Sequence, residues 1–206
     1  MTIATPAGMP SAYPTQLDFQ AGRDIDRWRP LVHWLLAIPH LIVVAALSRL
    51  RDILTLISFF AVLLTKRIPR PLFDATAMTL RYEWRTISYA LFLHEDYPPF
   101  DFQPSSADNG AEPHTAVSFA YPEELSRWKP LVKWLLAVPH YLVLIVLMIA
   151  SVFVAFFAAV AVIFTGEYPA GARDFLVGAY RWNLRVHAYV GLLTDRYPPF
   201  SLTAGS

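Results

Sequence analysis

The sequence predicts an all-α integral membrane protein made from one helical module written twice. Three observations carry that reading. Hydrophobic residues make up 55% of the 206 residues and charged residues only 16%, against about 45–50% and about 25% in ordinary soluble domains. The apolar excess is concentrated in two blocks, residues 31–65 and 131–165, each longer than the run of about 18 that reads as a membrane span. Finally, "RWRPLVHWLLAIPH" (Arg27–His40) returns as "RWKPLVKWLLAVPH" (Arg127–His140), displaced by 100 residues.

The displacement holds along the whole module without a gap. Thr65 falls on Thr165, Pro69 on Pro169, Asp74 on Asp174, Arg81 on Arg181, Arg85 on Arg185 and Tyr89 on Tyr189. Each module closes on "YPPF", Tyr97–Phe100 and Tyr197–Phe200. Self-similarity at a fixed period marks a duplicated structural unit. The organisation expected is a flexible tail over residues 1–16, a first module over 17–102, a polar linker over 103–116, a second module over 117–202 and a short tail over 203–206.

Within each module the elements follow one order. A short alternating stretch, "QLDFQ" or "TAVSFAYP", suits a strand. A charged approach segment leads to a helix over Leu31–Ile38 or Leu131–Val138. Pro39 and Pro139 separate or kink this lead-in from a spanning helix, Leu41–Thr65 or Tyr141–Phe164. Trp28, Trp34, Trp128 and Trp134 suit the headgroup layer, where a half-buried ring keeps its polar edge wet. A turn, "TKRIPRP" or "TGEYPAG", precedes a return helix over Leu72–Leu93 or Phe175–Leu193. An alternative folds the apolar block itself into a hairpin near Ser48–Asp52 and near Ala150. Proline-rich "YPPF" cannot continue a helix; it parks Tyr97, Phe100, Tyr197 and Phe200 at the interface or serves as a ligand for an aromatic groove. Identical motifs at identical offsets lead us to expect two crossings per copy and two copies pointing the same way.

The candidate site is a charged seam on the return helix. Asp74, Arg81 and Arg85 fall within roughly 40° of one another at 100° per residue, and Asp174, Arg181 and Arg185 repeat the pattern. One reading lays this helix on the membrane with its arginines on lipid phosphates. The other buries Arg81, Arg85, Arg181 and Arg185 against Asp74, Asp174 and Glu83 in a bundle, as a site for an anionic headgroup or an acidic partner helix. His40 and His140 are equivalent by the repeat and form a weak candidate pair for a metal or haem iron. No cofactor is otherwise indicated.

Several classes are excluded. A net charge of +1 does not gather nucleic-acid phosphates. The absence of cysteine removes thiolate metal sites and cysteine nucleophiles. No Gly-rich phosphate loop, "HExxH" or "GxSxG" occurs.

The combination "RWxPLVxWLLAxPH", "TGEYPAG", "RWNLRVHAY" and "TDRYPPFSL" resembles the bacterial membrane family catalogued as domain of unknown function 4389. The second copy matches closely; the first departs at "TKRIPRP" and at "SRLRD" (Ser48–Asp52). The resemblance implies a bacterial membrane location and no activity or site residues; with two crossings per copy, the location expected is the plasma (inner) membrane, multi-pass. The function expected is that of a non-enzymatic scaffold or accessory subunit binding lipids and other membrane proteins. The rival readings are a small transporter or channel using the Arg/Asp seams, and a membrane redox protein using His40 and His140.

Overall fold

The computed structural model describes residues 13–204. Along them run β1 (Thr15–Phe19), α1 (Arg29–Leu36), α2 (Ile38–Thr65), α3 (Arg70–Ala90), β2 (Thr115–Phe119), α4 (Lys129–Leu136), α5 (Val138–Thr165) and α6 (Ala170–Val190). The order is that read from the sequence. The fold is mostly helical, with a small sheet that "all-α" omits. Most of the tail expected over residues 1–16 lies outside the described residues, but Tyr13 is buried and Thr15 and Gln16 already belong to β1.

The prolines start helices here; they do not interrupt them. Pro39 and Pro139 sit in the first turns of α2 and α5, where the missing N–H is an orphan anyway. The break before α2 bends the chain by 44°, whereas α4 and α5 run on as one 37-residue segment, Lys129–Thr165, long and apolar enough to cross a membrane. α2 passes unbroken through Ser48–Asp52 and α5 through Ala150, so the hairpin alternative does not form. Both long helices end on a left-handed residue, Lys66 (φ 62°) and Gly166 (φ 79°), whose N–H groups bond to Val62 O and Val162 O. The chain then reverses through Pro69 or Pro169 into α3 or α6, antiparallel to the helix before it.

The two copies form an intramolecular pseudo-dimer. β1 pairs antiparallel with β2, and Leu17 lies opposite Val117 at the centre of the register. A residue facing its own repeat mate marks a two-fold axis. The remaining exchanges are reciprocal. Ile25 N–H donates to Gly166 O, and Leu125 N–H donates to Lys66 O; each approach segment closes the end of the other copy's long helix.

This reciprocity fixes the direction of the long helices. A 28-residue helix is about 42 Å long. The end of α5 lies at the approach to α1, and the end of α2 lies at the approach to α4, where Arg127 Nη2 donates to Leu64 O. Two rods closed end to start in this way run antiparallel. The expectation that the copies point the same way is therefore corrected.

The layers follow. α3 and α6 form the middle, joined across the axis by Trp84 and Tyr180, whose rings are 4.5 Å apart. The ribbon packs on one side, with β2 on α3 and β1 on α6; Leu17 and Val117 bury against the Trp84 and Leu184 core. α2 and α5 pack on the other side. On α3, Glu83 meets Arg51 of α2 at 2.6 Å, and at 100° per residue it points 160–200° away from Arg81 and Arg85, which reach the ribbon side.

Candidate functional site

Arg81, Arg85 and Arg185 of the seam are buried and Arg181 is half-buried, but neither expected arrangement describes their partners. Arg81 and Arg85 are 2% and 1% exposed. Arg81 donates to Ser105 O, Ala107 O and Val117 O and lies 3.5 Å from Asp108. Arg85 donates to Asp101 Oδ2 and Asp108 Oδ1, each at 3.0 Å, and to Asn109 Oδ1. Burial lowers the pKa of Arg81, with the Asp108 charge working against the shift. Apart from Asp101 and Val117 at its borders, the partners come from the segment between the modules, which is a folded cap over α3 as well as a linker. Asp74, two turns away along the helix, pairs with Arg70 at 3.0 Å instead.

Copy two holds its arginines with backbone. Arg181 donates to Leu17 O and Leu202 O, and the partners of Arg185 include Ser201 O and Thr203 O. Asp174 is exposed and lines an open groove with Arg173, Arg181 and Phe19 between β1, α6 and the C-terminal segment. Gly178 lets that segment approach, since a Cβ there would stand 2.9 Å from Leu202 Cβ. The bundle reading set the arginines against Asp74, Asp174 and Glu83. That is corrected: carbonyl-rich and aspartate-rich loops of the same chain take them. The same loops occupy guanidinium faces that the phosphate reading assigned to lipid, while Arg181 still borders the open groove.

The "YPPF" segments turn back on the first turns of α2 and α5. Phe100 stacks on His40 at 4.1 Å and Phe200 stacks on His140 at 4.1 Å. Tyr97 and Tyr197 flank the same rings at 4.8 Å. Trp182 Nε1–H donates to His140 Nδ1 at 3.0 Å, and Tyr82 Oη is 2.6 Å from His40 Nδ1. Indole is a donor only, so His140 Nδ1 accepts and its proton sits on Nε2. Each histidine closes an aromatic box in its own copy, at opposite ends of the antiparallel pair. The two do not converge on one ion, and the His40/His140 metal pair is corrected on that ground.

The eight aromatic residues named as interface anchors are all well exposed, from Tyr197 at 42% to Trp128 at 69%. They belong to a larger pattern. α2 buries a stripe, His40, Leu54, Ser58 and Val62, and α5 buries His140, Leu144, Ala158 and Val162. The outer faces expose Ile42, Ile53, Leu56, Phe60 and Leu64, and Leu142, Ile149, Val152, Phe156 and Phe164. Large apolar side chains exposed among the described residues lie on α1, α2, α4, α5, the Trp caps and the segments after α3 and α6; none lies on α3, α6 or the ribbon. Copy one breaks the pattern once. Arg49 and Asp52, 85% and 70% exposed and 3.7 Å apart, replace Ile149 and Val152.

One cluster went unread in the sequence. His94, Asp96, Glu112 and His114 meet where the end of α3 touches the linker; His114 Nε2 lies 2.6 Å from Asp96 Oδ2, and His94 Nδ1 lies 3.9 Å from Glu112 Oε1. The signal was a departure from the repeat: Thr194 and Arg196 stand where copy one has His94 and Asp96.

The family described as Domain of unknown function (DUF4389) matches residues 27–101 and again residues 127–201. The chain belongs to that family, in two tandem copies. No curated protein and no solved structure matches it.

Proposed function

We propose that this tandem DUF4389 protein is a non-enzymatic membrane scaffold that lies in one leaflet, with α2 and α5 in the hydrocarbon boundary and the ribbon and linker in water. The observation that carries the reading is the one-sidedness of the apolar surface. Monomeric soluble proteins rarely expose contiguous apolar patches beyond a few hundred Å². Here two outer helix faces, each about 42 Å long, are apolar from end to end apart from one ion pair. Moving the α5 face alone out of water is favourable by on the order of 10 kcal/mol.

An in-leaflet position agrees with the layers better than the multi-pass arrangement expected from block length. If α2 and α5 spanned, the ribbon and the Arg81–Asp108 cap would sit beside the midpoints of the helices, in hydrocarbon. Exposed sheet edges are not tolerated there, because each unsatisfied polar group costs several kcal/mol. With the two-fold axis along the membrane normal, both "YPPF" segments meet the same interface despite the antiparallel helices. Their rings and Trp28, Trp34, Trp128 and Trp134 then ring the apolar face as anchors.

The scaffold role rests on the difference between the two faces. Arg49 lies 180° around α2 from buried Ser58, in the middle of the apolar surface. An arginine in the middle of a lipid-facing apolar surface must leave water or bend toward the headgroups, at a cost in either case. A partner protein that meets the ion pair removes that cost, so the α2 face suits a protein neighbour and the α5 face suits lipid. The transporter reading lacks a path, since the seam arginines are engaged by the chain's own loops.

Position-specific probes test both parts. The chain has no cysteine, so Arg67→Cys and Glu167→Cys, at opposite ends of the pair, report orientation directly. An impermeant maleimide labels both from the same side of the membrane if the protein lies in one leaflet; labelling from opposite sides overturns that. A photo-crosslinker at Leu56 gives discrete protein adducts and one at Phe156 gives lipid adducts. Lipid adducts alone at Leu56 overturn the scaffold role.

A further inference from the structure

We propose that His94, Glu112 and His114, with Asp96 completing the shell, form a binding site for one divalent first-row transition-metal ion of the zinc class, clasping the linker to the end of α3. One ligand-capable atom from each of His94, Glu112 and His114 lies within 4.8 Å of the others. Tetrahedral coordination at zinc–nitrogen and zinc–oxygen lengths places ligands about 3.4 Å apart, so a modest closure of side chains seats the ion.

The hydrogen bonds around the cluster leave an unpartnered acceptor atom on His94 and on Glu112. Ser88 Oγ donates its proton to Arg85 O. It must therefore accept from His94 Nε2–H, 3.1 Å away, which leaves His94 Nδ1 without a proton and facing Glu112. Glu112 Oε1 is held by the His114 backbone N–H at 3.0 Å, while Oε2 has no partner. His94 Nδ1 likewise has none, and both side chains are 1% exposed. His94 Nδ1 and Glu112 Oε1, both acceptors on buried side chains, face each other across 3.9 Å and leave room for a positive charge beside them.

His114 supplies the third ligand. Its Nδ1–H donates to Gln20 O at 3.0 Å, which orients the ring as a carbonyl behind a metal-bound histidine does. Its Nε2–H faces Asp96 Oδ2 at 2.6 Å. Metal binding breaks that N–H bond, forms a metal–nitrogen bond and sends one proton to solvent, and Asp96 turns from hydrogen-bond acceptor to ligand. Asp96 is 64% and His114 26% exposed, which gives the ion an entry. Two imidazoles and two carboxylates suit zinc, cobalt or iron and are a poor match for magnesium or calcium. Copy two, with Thr194 and Arg196, has no such site.

The test uses the full chain in nanodiscs, stripped by chelator and titrated with Zn²⁺ and, separately, Mg²⁺. We expect one Zn²⁺ per chain, release of one proton, no Mg²⁺ binding, and a visible d–d band when Co²⁺ replaces Zn²⁺. His94→Thr installs the residue that copy two uses at the same position, so the fold is kept while Zn²⁺ affinity falls at least 100-fold. Ser88→Ala, which frees the His94 ring, weakens binding about 10–100-fold. His187→Ile, a half-buried histidine outside the cluster replaced by its copy-one counterpart, leaves affinity unchanged. Absence of Zn²⁺ binding, wild-type affinity in His94→Thr, or equal loss in His187→Ile overturns the proposal.

Discussion

Replacing Arg85 by methionine tests the claim that the segment between the modules is a folded cap. The guanidinium is 1% exposed and meets Asp101 and Asp108, themselves 13% and 10% exposed, at 3.0 Å each. Breaking a buried pair by removing one partner costs about 3–5 kcal/mol, because the remaining charge stays buried. Two carboxylates are stranded here, yet Arg81 stays 3.5 Å from Asp108 and the linker can swing outward. The lower end, about 3 kcal/mol, is the better figure. For a chain of this size each kcal/mol moves the midpoint by about 2–4 °C, so the Tm falls by about 6–12 °C. Thermal melts by circular dichroism in detergent measure the shift, and limited proteolysis shows faster cleavage within residues 103–114. Arg23→Gln is the control: its pair with Glu167 is 4.0 Å long and more than half exposed on both sides, a class contributing about 0–1 kcal/mol. A drop under 2 °C in Arg85→Met, or one matched by Arg23→Gln, refutes the reasoning.

The repeat supplies its own backbone experiment. Gly166 and Lys66 occupy the same left-handed cap, and a Cβ on Gly166 meets nothing closer than 3.6 Å, so Gly166→Ala loses about 1 kcal/mol from φ alone, while Lys66→Gly gains a few tenths; equal effects of one sign in the melts would show that the caps differ. Acid supplies a second. His94 has a folded pKa of about 4, set first by burial, below the unfolded value of about 6.5. The unfolded state therefore binds the extra proton, and metal-free protein loses up to about 3 kcal/mol as pH falls from 6.5 to 4. His114, raised by its bonds to Asp96 and Gln20 although burial opposes them, acts with the opposite sign: its contribution is present below about 6.5 and is lost as pH rises through its folded value. His94→Thr flattens the acid limb in denaturant melts; a wild-type limb already flat contradicts the burial of a neutral ring.

The module was legible because its signals are local. Pro30, Pro39, Pro130 and Pro139 sit where helices begin, and the apolar stretches set helix lengths. The return helices begin two to five residues earlier than expected, at Arg70 and Ala170, because Pro69 and Pro169 set their starts. The partners of Arg81 and Arg85 were not legible. Helical spacing placed both on one face, but Asp101 and Asp108 approach from a stretch whose composition reads only as polar and flexible. Its ordering comes from tertiary contacts that no periodicity records. The metal cluster had the same obstacle, with His94 and Glu112 separated by the whole linker. The productive signal was the mismatch between copies, since a residue that leaves the repeat is free to serve one copy alone.

The direction of the copies is the instructive error. Equal motifs at equal offsets suggest equal sidedness, and for crossing helices that holds only if the operator relating the copies leaves the membrane normal unchanged. A sequence repeat specifies the unit and is silent on the operator, as two-fold and translational assemblies of one subunit show. Here the operator is written in contacts: Leu17 opposite Val117, and the exchange of Ile25–Gly166 for Leu125–Lys66. A two-fold axis through the ribbon reverses the long helices and keeps the ribbon, the linker cap and the "YPPF" boxes on fixed levels along the axis. In the proposed in-leaflet position, with the helices lying flat, both copies again meet the same side of the membrane. Antiparallel helices and shared interfaces are compatible only when that axis coincides with the membrane normal, so the labelling of Arg67→Cys and Glu167→Cys decides the orientation of the whole molecule at once.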